Sequence, residues 1–207
     1  MASRTSSLKY FSLLICSLAI VQMTLAGDPD ILSDFVAPPN GTVDANFFTY
    51  TGMRVLVGGD EPKTFHTVLN ATSAEFPALN GQSVSYAVHI FPAGTANPPH
   101  THPRSAELLF LVDGSLEVGF VDTKNNLFTQ TLQAGDLFVI PKGLVHFQYN
   151  ADSENPAIAI SAFGSSSAGT VSIPTTLFAT YIDDNVLALS FKTDVATIQK
   201  LKAGLAP

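Results

Sequence analysis

The chain has 207 residues, of which 46% are hydrophobic and 13% are charged, and its formal charge is −7. This composition excludes a disordered polypeptide and predicts one well-packed domain in preference to two. The excess of acidic residues disfavours nucleic acid and anionic membrane surfaces as partners.

Residues 1–26 have the pattern of a secretory signal peptide. Arg4 and Lys9 precede an apolar run over residues 10–21, and small residues follow at the expected cleavage point. The alternative is a membrane anchor, but the run is short for a bilayer and no stop-transfer pattern follows. Cleavage takes the formal charge from −7 to −9 and removes the only cysteine, Cys16. We therefore expect a secreted protein that has no disulfide and is not inserted in a membrane.

Two glycosylation sequons follow. They are Asn40-Gly41-Thr42 and Asn70-Ala71-Thr72. The first lies within residues 27–50, a stretch rich in Asp, Pro, Gly and Asn that predicts an extended N-terminal arm. In a secreted chain, Asn40 and Asn70 are predicted glycosylation sites on exposed loops, although such tripeptides also arise by chance.

Short apolar runs alternate with turn residues from residue 83 onward. The runs are Ser83–Phe91, Glu107–Val112, Leu116–Val121, Leu127–Leu132, Leu137–Ile140, Val145–Tyr149 and Ala157–Phe163. Asp113-Gly114 is a strong hairpin signal between the second run and the third. Because no helical pattern intervenes, the order predicts an all-β protein, an antiparallel sandwich or barrel.

A helix is predicted near the end of the chain. Thr193 or Asp194 can cap it, and Val195, Ile198 and Leu201 form its apolar face up to about Ala203. An apolar run, Val186, Leu187 and Leu189, precedes it. This face either contacts another subunit or folds back on its own barrel.

Two glycine-framed stretches contain three of the five histidines. Residues i and i+2 of a strand face the same side, so His100 and His102 can bind one ion. A proline after His102 interrupts the strand, and a turn there can redirect Glu107, which opens the next strand. His146 opens a further strand after a Pro-x-Gly turn. We predict these four side chains as metal ligands.

Three imidazoles and one carboxylate leave an octahedral ion with open positions and suit manganese, iron, cobalt, nickel or zinc, so the spacing does not choose the metal. The alternative is an exposed His-x-His pair with His146 in the core, which leaves the glycines of both stretches unexplained. His66 and His89 fit neither stretch and are interpreted as surface or core histidines. The chain has no Gly-x-Ser-x-Gly elbow, and no cysteine follows the signal, so a serine or cysteine nucleophile is not predicted.

The strings Asn97–Arg104, NPPHTHPR, and Val139–Gln148, VIPKGLVHFQ, closely resemble the two cupin motifs of plant germins and germin-like proteins. Residues 27–35 also resemble the start of mature germins. The resemblance covers residues 27–207, which it identifies as a single cupin domain with an N-terminal arm and a C-terminal helical extension.

This resemblance implies a cupin β-jelly-roll barrel that holds one manganese ion per chain at His100, His102, Glu107 and His146. It also implies a homohexamer, built as a trimer of dimers with interlocking C-terminal helices, and a location in the apoplast or cell wall. The activities known in the family include superoxide dismutase and, in true germins, oxalate oxidase.

The sequence departs from the germin pattern at two places. Germins usually have a disulfide-bonded cysteine after the Asp-Phe of the arm, where this chain has Val36. The arm is therefore expected to be looser, or held only by packing. Oxalate-oxidising germins hold oxalate with two asparagines. Asn97 matches the first of these asparagines and is a candidate for orienting a ligand. An equal alternative is that Asn97 is only a turn residue before Pro98. Ala87 aligns with the second asparagine. Alanine cannot donate that hydrogen bond, which argues against oxalate oxidase activity.

Two functional hypotheses follow. The first is a manganese-dependent oxidoreductase acting on superoxide or a small anionic substrate, because superoxide dismutation requires little substrate recognition. The second is a non-enzymatic, metal-stabilised cell-wall or receptor-like binding protein.

Overall fold

The computed structural model describes residues 28–39, 41–56 and 65–205, so the predicted signal peptide and Asn40 lie outside the described residues. Ten strands account for most of the regular structure. They are β1 Thr67–Ala71, β2 Ser85–Phe91, β3 Ala96–Thr101, β4 Glu107–Asp113, β5 Ser115–Val121, β6 Leu127–Gln133, β7 Leu137–Ile140, β8 Val145–Tyr149, β9 Ala157–Phe163 and β10 Val171–Ser172. Two short 3₁₀ helices, Gly52–Leu56 and Pro77–Leu79, flank β1.

The strands form two five-stranded antiparallel sheets that pack face to face. The first sheet has the order β1-β2-β9-β4-β7 and the second has the order β10-β3-β8-β5-β6. Alternate residues of each strand point between the sheets, where they form the main hydrophobic core. This core consists of Phe91, Leu109, Leu111, Leu116, Val118, Leu132, Ala157 and Ala159. The predicted all-β jelly-roll architecture is confirmed.

The seven predicted apolar runs correspond to β2 and β4–β9, and their ends differ by no more than two residues. Strands β1, β3 and β10 were not among those runs. In β3, Pro98 and Pro99 have no backbone N–H to donate, and the pairing with β8 shifts register between Asn97 and His100. A strand interrupted in this way has no alternating pattern that the sequence could reveal.

The N-terminal arm is held by hydrogen bonds as well as by packing, so the expectation that packing alone holds it is wrong. The Asp28 carboxylate accepts hydrogen bonds from the Ser165 hydroxyl at 2.6 Å and from the Ser166 backbone N–H at 2.5 Å. The Gln82 side chain donates to the carbonyl of Asp34 at 3.1 Å. These contacts join the arm to the segment after β9 and to the segment before β2 without a disulfide.

Three helices follow the barrel: α1 Ile173–Phe178, α2 Asp184–Phe191 and α3 Val195–Gly204. The predicted helix is α3, and its cap is Asp194, whose carboxylate accepts from the backbone N–H of Thr197 at 2.9 Å. The apolar run before it forms a second helix, α2, which begins after the cap residue Asp183.

The apolar face of α3 packs mainly on the other two helices, so the prediction that it folds back on the barrel is wrong, and the predicted contact with another subunit stays a prediction. Leu187 and Ala188 of α2 are buried against Ile198 of α3. Val186 and Leu189 on α2 remain exposed. Within the described residues, none of the helices has the length and apolar character needed to cross a bilayer.

Candidate metal centre

The four predicted ligands come together between the two sheets. His100 lies on β3 and His102 directly follows the end of that strand, Glu107 is the first residue of β4, and His146 is the second residue of β8. All four are buried, with side chains from both sheets meeting at one point. One ligand atom from each residue lies within 4.8 Å of the others. Opposite ligands of an octahedral ion are separated by about 4.0–4.4 Å at bond lengths of about 2.0–2.2 Å, so one cation can reach all four.

Strand pairing explains how distant residues meet. His100 lies opposite His146 across β3 and β8, and their ring centroids are 4.0 Å apart. His102 lies just beyond the end of β3, and its carbonyl accepts a hydrogen bond from the backbone N–H of Gly143 at 3.1 Å. Gly143 has a φ of +76°, a conformation that glycine adopts without strain. The Pro-x-Gly turn is therefore joined to the segment that contains His100 and His102.

Backbone carbonyls orient all three imidazoles. The Nδ1 atom of His100 lies 2.9 Å from the carbonyl oxygen of Pro98, and that of His146 lies 2.9 Å from the carbonyl of Leu144. The Nδ1 atom of His102 lies 2.6 Å from the carbonyl of Gly169. A carbonyl only accepts, so each Nδ1 carries a proton and each Nε2 is left to face the cluster. This is the arrangement by which proteins orient histidine ligands toward a metal.

The two oxygens of Glu107 have different surroundings. Its Oε1 accepts a hydrogen bond from the Ser161 hydroxyl at 2.5 Å and a longer one from the Gln148 amide at 3.5 Å. Its Oε2 lies 3.2 Å from His102 Nε2 and 3.1 Å from His146 Nε2. Burial alone would raise the pKa of Glu107, but the contacts with His102 and His146 outweigh it and hold the pKa below its usual range. The carboxylate is therefore ionised, with Oε2 left for a cation.

The imidazole nitrogens that face the cluster are better satisfied by a metal ion than by the neighbouring side chains. His102 Nε2 is close to Glu107 Oε2, yet it lacks the alignment of a hydrogen bond and is a buried atom with no hydrogen-bond partner among the described residues. Burial, together with the neighbouring His146, lowers the pKa of His100 to about 3, so its imidazole is neutral. Three Nε2 atoms and an ionised carboxylate, aimed at one point, fit a divalent cation.

Ser161 and Gln148 were not predicted from the sequence. Each is completely buried and acts through hydrogen bonds to a predicted site residue. Gln148 lies two residues after His146 on the same face of β8, a spacing that could have revealed it. Ser161 is 54 residues from Glu107 in the chain, and no local signal connects the two.

A cavity of about 420 Å³ opens beside the cluster and is lined by His100 and His102. Asn97, the candidate for orienting a ligand, also lines it. The Asn97 amide nitrogen donates to Gln148 Oε1 at 2.8 Å and lies 3.4 Å from His100 Nε2. Ala87, where oxalate-oxidising germins have the second asparagine, lines the same cavity and carries no polar group.

Two other residues named in the sequence analysis lie at this cavity. Asn70 lies on the edge strand β1, directly opposite Ala87, and lines the cavity. The expectation that Asn70 lies on a loop is therefore wrong, but its side chain is exposed as expected. His89 is a buried residue on β2 that lines the cavity, and His66 is half-buried beside it. Neither histidine belongs to the four-residue cluster.

Two antiparallel sheets that enclose three imidazoles and one carboxylate define the cupin class, and the Cupin family model matches residues 61–199. Germin-like protein 9-3 of Oryza sativa subsp. japonica is 60% identical to the chain, over 94% of this chain and 96% of that protein. Germin-like protein 9-1 of the same organism is 52% identical, over 100% of this chain and 84% of that protein. The chain belongs to the germin-like proteins of the cupin superfamily.

A solved structure of oxalate oxidase is also similar. It has 32% sequence identity and a TM-score of 0.76, and the match covers 86% of this chain and 98% of that one.

Proposed function

We propose that this chain is a secreted, manganese-binding germin-like protein of the plant apoplast or cell wall with superoxide dismutase activity. One observation carries the proposal: three imidazole Nε2 atoms and Glu107 Oε2 converge in a buried cluster, and every imidazole is oriented by a carbonyl at Nδ1. The signal peptide at residues 1–26 and glycosylation at Asn40 and Asn70 are parts of the same proposal.

The reaction converts two superoxide ions and two protons into dioxygen and hydrogen peroxide. A manganese ion held by His100, His102, Glu107 and His146 would supply one-electron redox chemistry. The chain itself orients the imidazoles through backbone carbonyls, fixes Glu107 Oε1 through the Ser161 hydroxyl, and leaves a cavity through which a small anion can approach. Asn97 lies next to His100 with an amide that can orient a ligand or water.

Oxalate oxidase activity is not part of the proposal, although a similar structure is that of an oxalate oxidase in complex with the substrate analogue glycolate. The cavity carries Asn97, but Ala87 has no donor at the position of the second asparagine. A missing donor leaves an oxalate oxygen without a partner in a buried site, which is unfavourable.

We further propose that the protein assembles as a homohexamer, a trimer of dimers. The outer side of the first sheet, here called the outer apolar face, supports this assembly. Strand pairing aligns Tyr86, Ala162, Leu108 and Val139 in one row across the sheet. Tyr86, Leu108, Val139 and the neighbouring Leu137 are all exposed. Contiguous exposed apolar rows of this kind mark protein–protein contacts.

The second candidate function is a non-enzymatic one, a metal-stabilised cell-wall or receptor-like binding protein. The observation that favours it is the complete burial of Glu107 and His146, which would suit a structural ion equally well. The two functions differ in whether the loaded protein consumes superoxide.

Metal analysis and a superoxide assay test the proposal. We expect protein purified from a plant host to contain manganese near one ion per chain, and the variant His100→Ala/His102→Ala to contain almost none. His66→Ala, which removes a histidine outside the cluster, is the control and should keep the ion. Stoichiometric metal in the double variant would refute the site. Equal superoxide activity in loaded and metal-stripped protein would instead favour the binding protein.

A further inference from the structure

A second pair of histidines lies next to the candidate metal centre and has no part in the proposed ligand set. His66 Nε2 lies 3.2 Å from His89 Nδ1, so the two side chains share a hydrogen bond. Their rings are stacked, with centroids 5.5 Å apart and planes inclined by 10°, and His66 also stacks on Phe91 with centroids 4.4 Å apart. Phe91 belongs to the core, so the pair is held in one orientation by packing from behind.

The other nitrogen of His89 is unpaired in the part of the chain that the structure describes. His89 is 4% exposed, and its Nε2 is a buried polar atom with no hydrogen-bond partner. His89 lines the same cavity as His100, His102 and Asn97. A buried polar atom without a partner reduces stability, so such an atom on a cavity wall points to a ligand that completes its hydrogen bonding.

We propose that His89 is a ligand-binding residue whose Nε2–H donates a hydrogen bond to a small carboxylate bound in the metal cavity, and that His66 is a positioning residue that sets the proton on His89. The proposal rests on the proposed function, because it takes the metal cavity as the place where the ligand binds.

The hydrogen bond between the two histidines determines what His89 offers to the cavity. If His66 Nε2–H donates to His89 Nδ1, a neutral His89 carries its only proton on Nε2 and is a donor to the ligand. If His89 Nδ1–H donates to His66, Nε2 is an acceptor instead. A carboxylate has only acceptor oxygens when ionised, so it selects the first arrangement.

The surroundings keep both rings neutral, as this account requires. Burial lowers the pKa of His89 to about 4, opposed in part by Glu107 and reinforced by His102 and His146. Burial and the neighbouring His89 lower the pKa of His66 to about 4. The pair therefore remains uncharged at neutral pH and acts through hydrogen bonding.

The charge of the centre selects a monovalent anion. Three neutral imidazoles, the ionised Glu107 and a divalent cation together carry one positive charge, which one carboxylate neutralises. The Asn97 amide has a second N–H besides the one donated to Gln148, so Asn97 and His89 can both donate to carboxylate oxygens from different walls of the cavity. His89 also lies two residues after Ala87 on the same face of β2. It therefore places a hydrogen-bonding group on the cavity wall next to Ala87, which has none.

Acetate binding to the manganese-loaded, full-length mature protein tests the inference, with the acetate dissociation constant read from the relaxation of water protons by the ion. We expect His89→Val to keep its manganese and to bind acetate about 3–10-fold more weakly. His89→Gln, which keeps a donor, should bind within about 2-fold of the wild type. Val68→Ala is the matched control, since it removes apolar atoms from the same cavity and should change the constant by less than about 2-fold.

His66→Phe retains the stacking on Phe91 and removes the hydrogen bond to His89. We expect it to weaken acetate binding and to change the ¹⁵N chemical shifts of His89 in the zinc-loaded protein, a signature that loss of packing alone would not produce. Equal acetate affinity in the wild type and His89→Val, or loss of manganese in both His89 variants, would overturn the inference. A wild type that binds manganese but shows no superoxide activity would contradict the proposed function alone.

Discussion

The Ser161 hydroxyl donates to Glu107 Oε1 at 2.5 Å, while Glu107 Oε2 faces the imidazoles of His102 and His146. Ser161 therefore fixes which oxygen of the carboxylate is available to a cation. We predict that Ser161→Ala weakens manganese binding by about 10–100-fold, the usual effect of losing a residue that orients a ligand.

Competition with a metal chelator measures this change. Ser85→Ala is the matched control, because the Ser85 hydroxyl is equally buried and lines the cavity but donates to the carbonyl of Ser165 at 2.7 Å. If both serine variants release manganese at the same chelator concentration as the wild type, Ser161 has no role in orienting Glu107.

Acid should destabilise the metal-free protein through the pair His66 and His89. Their pKa values are about 4 in the folded state, below the value of about 6.5 expected in the unfolded chain, so the unfolded chain binds more protons. The free energy of unfolding should then be unaffected above pH 6.5 and fall as the pH decreases from 6.5 to 4, by on the order of 3–6 kcal/mol for the two groups together, with the smaller share from the half-buried His66.

Urea unfolding at several pH values measures this dependence. The variant His66→Phe/His89→Val lacks both titrating groups, so its stability should vary less over this range. Since His100 titrates in both proteins, the difference between the two curves isolates the pair. Parallel curves for wild type and variant would contradict the prediction.

Ala87→Asn should increase the affinity for oxalate. The new amide would lie on the cavity wall opposite Asn70 and could donate the hydrogen bond that alanine lacks. One such bond is worth about 0.5–1.5 kcal/mol, which corresponds to an affinity gain of about 2–12-fold. Ala87 is buried against Phe163 and Ala168, so the larger residue should also lower stability by about 1–3 kcal/mol.

Calorimetric titration with oxalate provides the measurement. Ala87→Leu introduces a side chain of similar size without an amide and should bind oxalate no better than the wild type. A gain of equal size in both variants would show that shape, and not the hydrogen bond, controls oxalate binding.

Leu108→Glu should disrupt assembly through the outer apolar face. Leu108 is exposed in the row that Tyr86 and Val139 share, and a buried, unpaired carboxylate at a subunit contact is strongly unfavourable. We expect light scattering after gel filtration to show species smaller than the wild type, which we propose is a hexamer. Thr123→Glu adds the same charge in the exposed turn between β5 and β6, and it should leave the wild-type mass unchanged. An unchanged mass for Leu108→Glu would exclude this face as a contact.

The sequence was sufficient to predict the four residues of the cluster because their signals are local. His100 lies near the end of β3 and His102 just beyond it, and glycine-containing turns frame both stretches. Seven strands were predictable for the same reason, since alternation within a few residues reveals them. The helix α3 was predictable from its cap, Asp194.

The rest depends on contacts between distant parts of the chain. Ser161 reaches Glu107 across 54 residues, and His66 reaches His89 across 23, so neither relationship leaves a pattern in a short window. The depressed pKa of His89 arises from burial, which only the completed fold creates. Strand β3 was obscured by its prolines, because they remove the hydrogen bonds that define an ordinary strand.

The position of Asn70 has a consequence for how the protein is produced. Its side chain stands on the rim of the cavity, across from Ala87, and it begins a sequon. An oligosaccharide on that amide would restrict access to the cavity by size, so superoxide and other small solutes would enter more readily than bulky ones. Material from a bacterial host, which lacks this sugar, would then accept larger molecules than material from a plant.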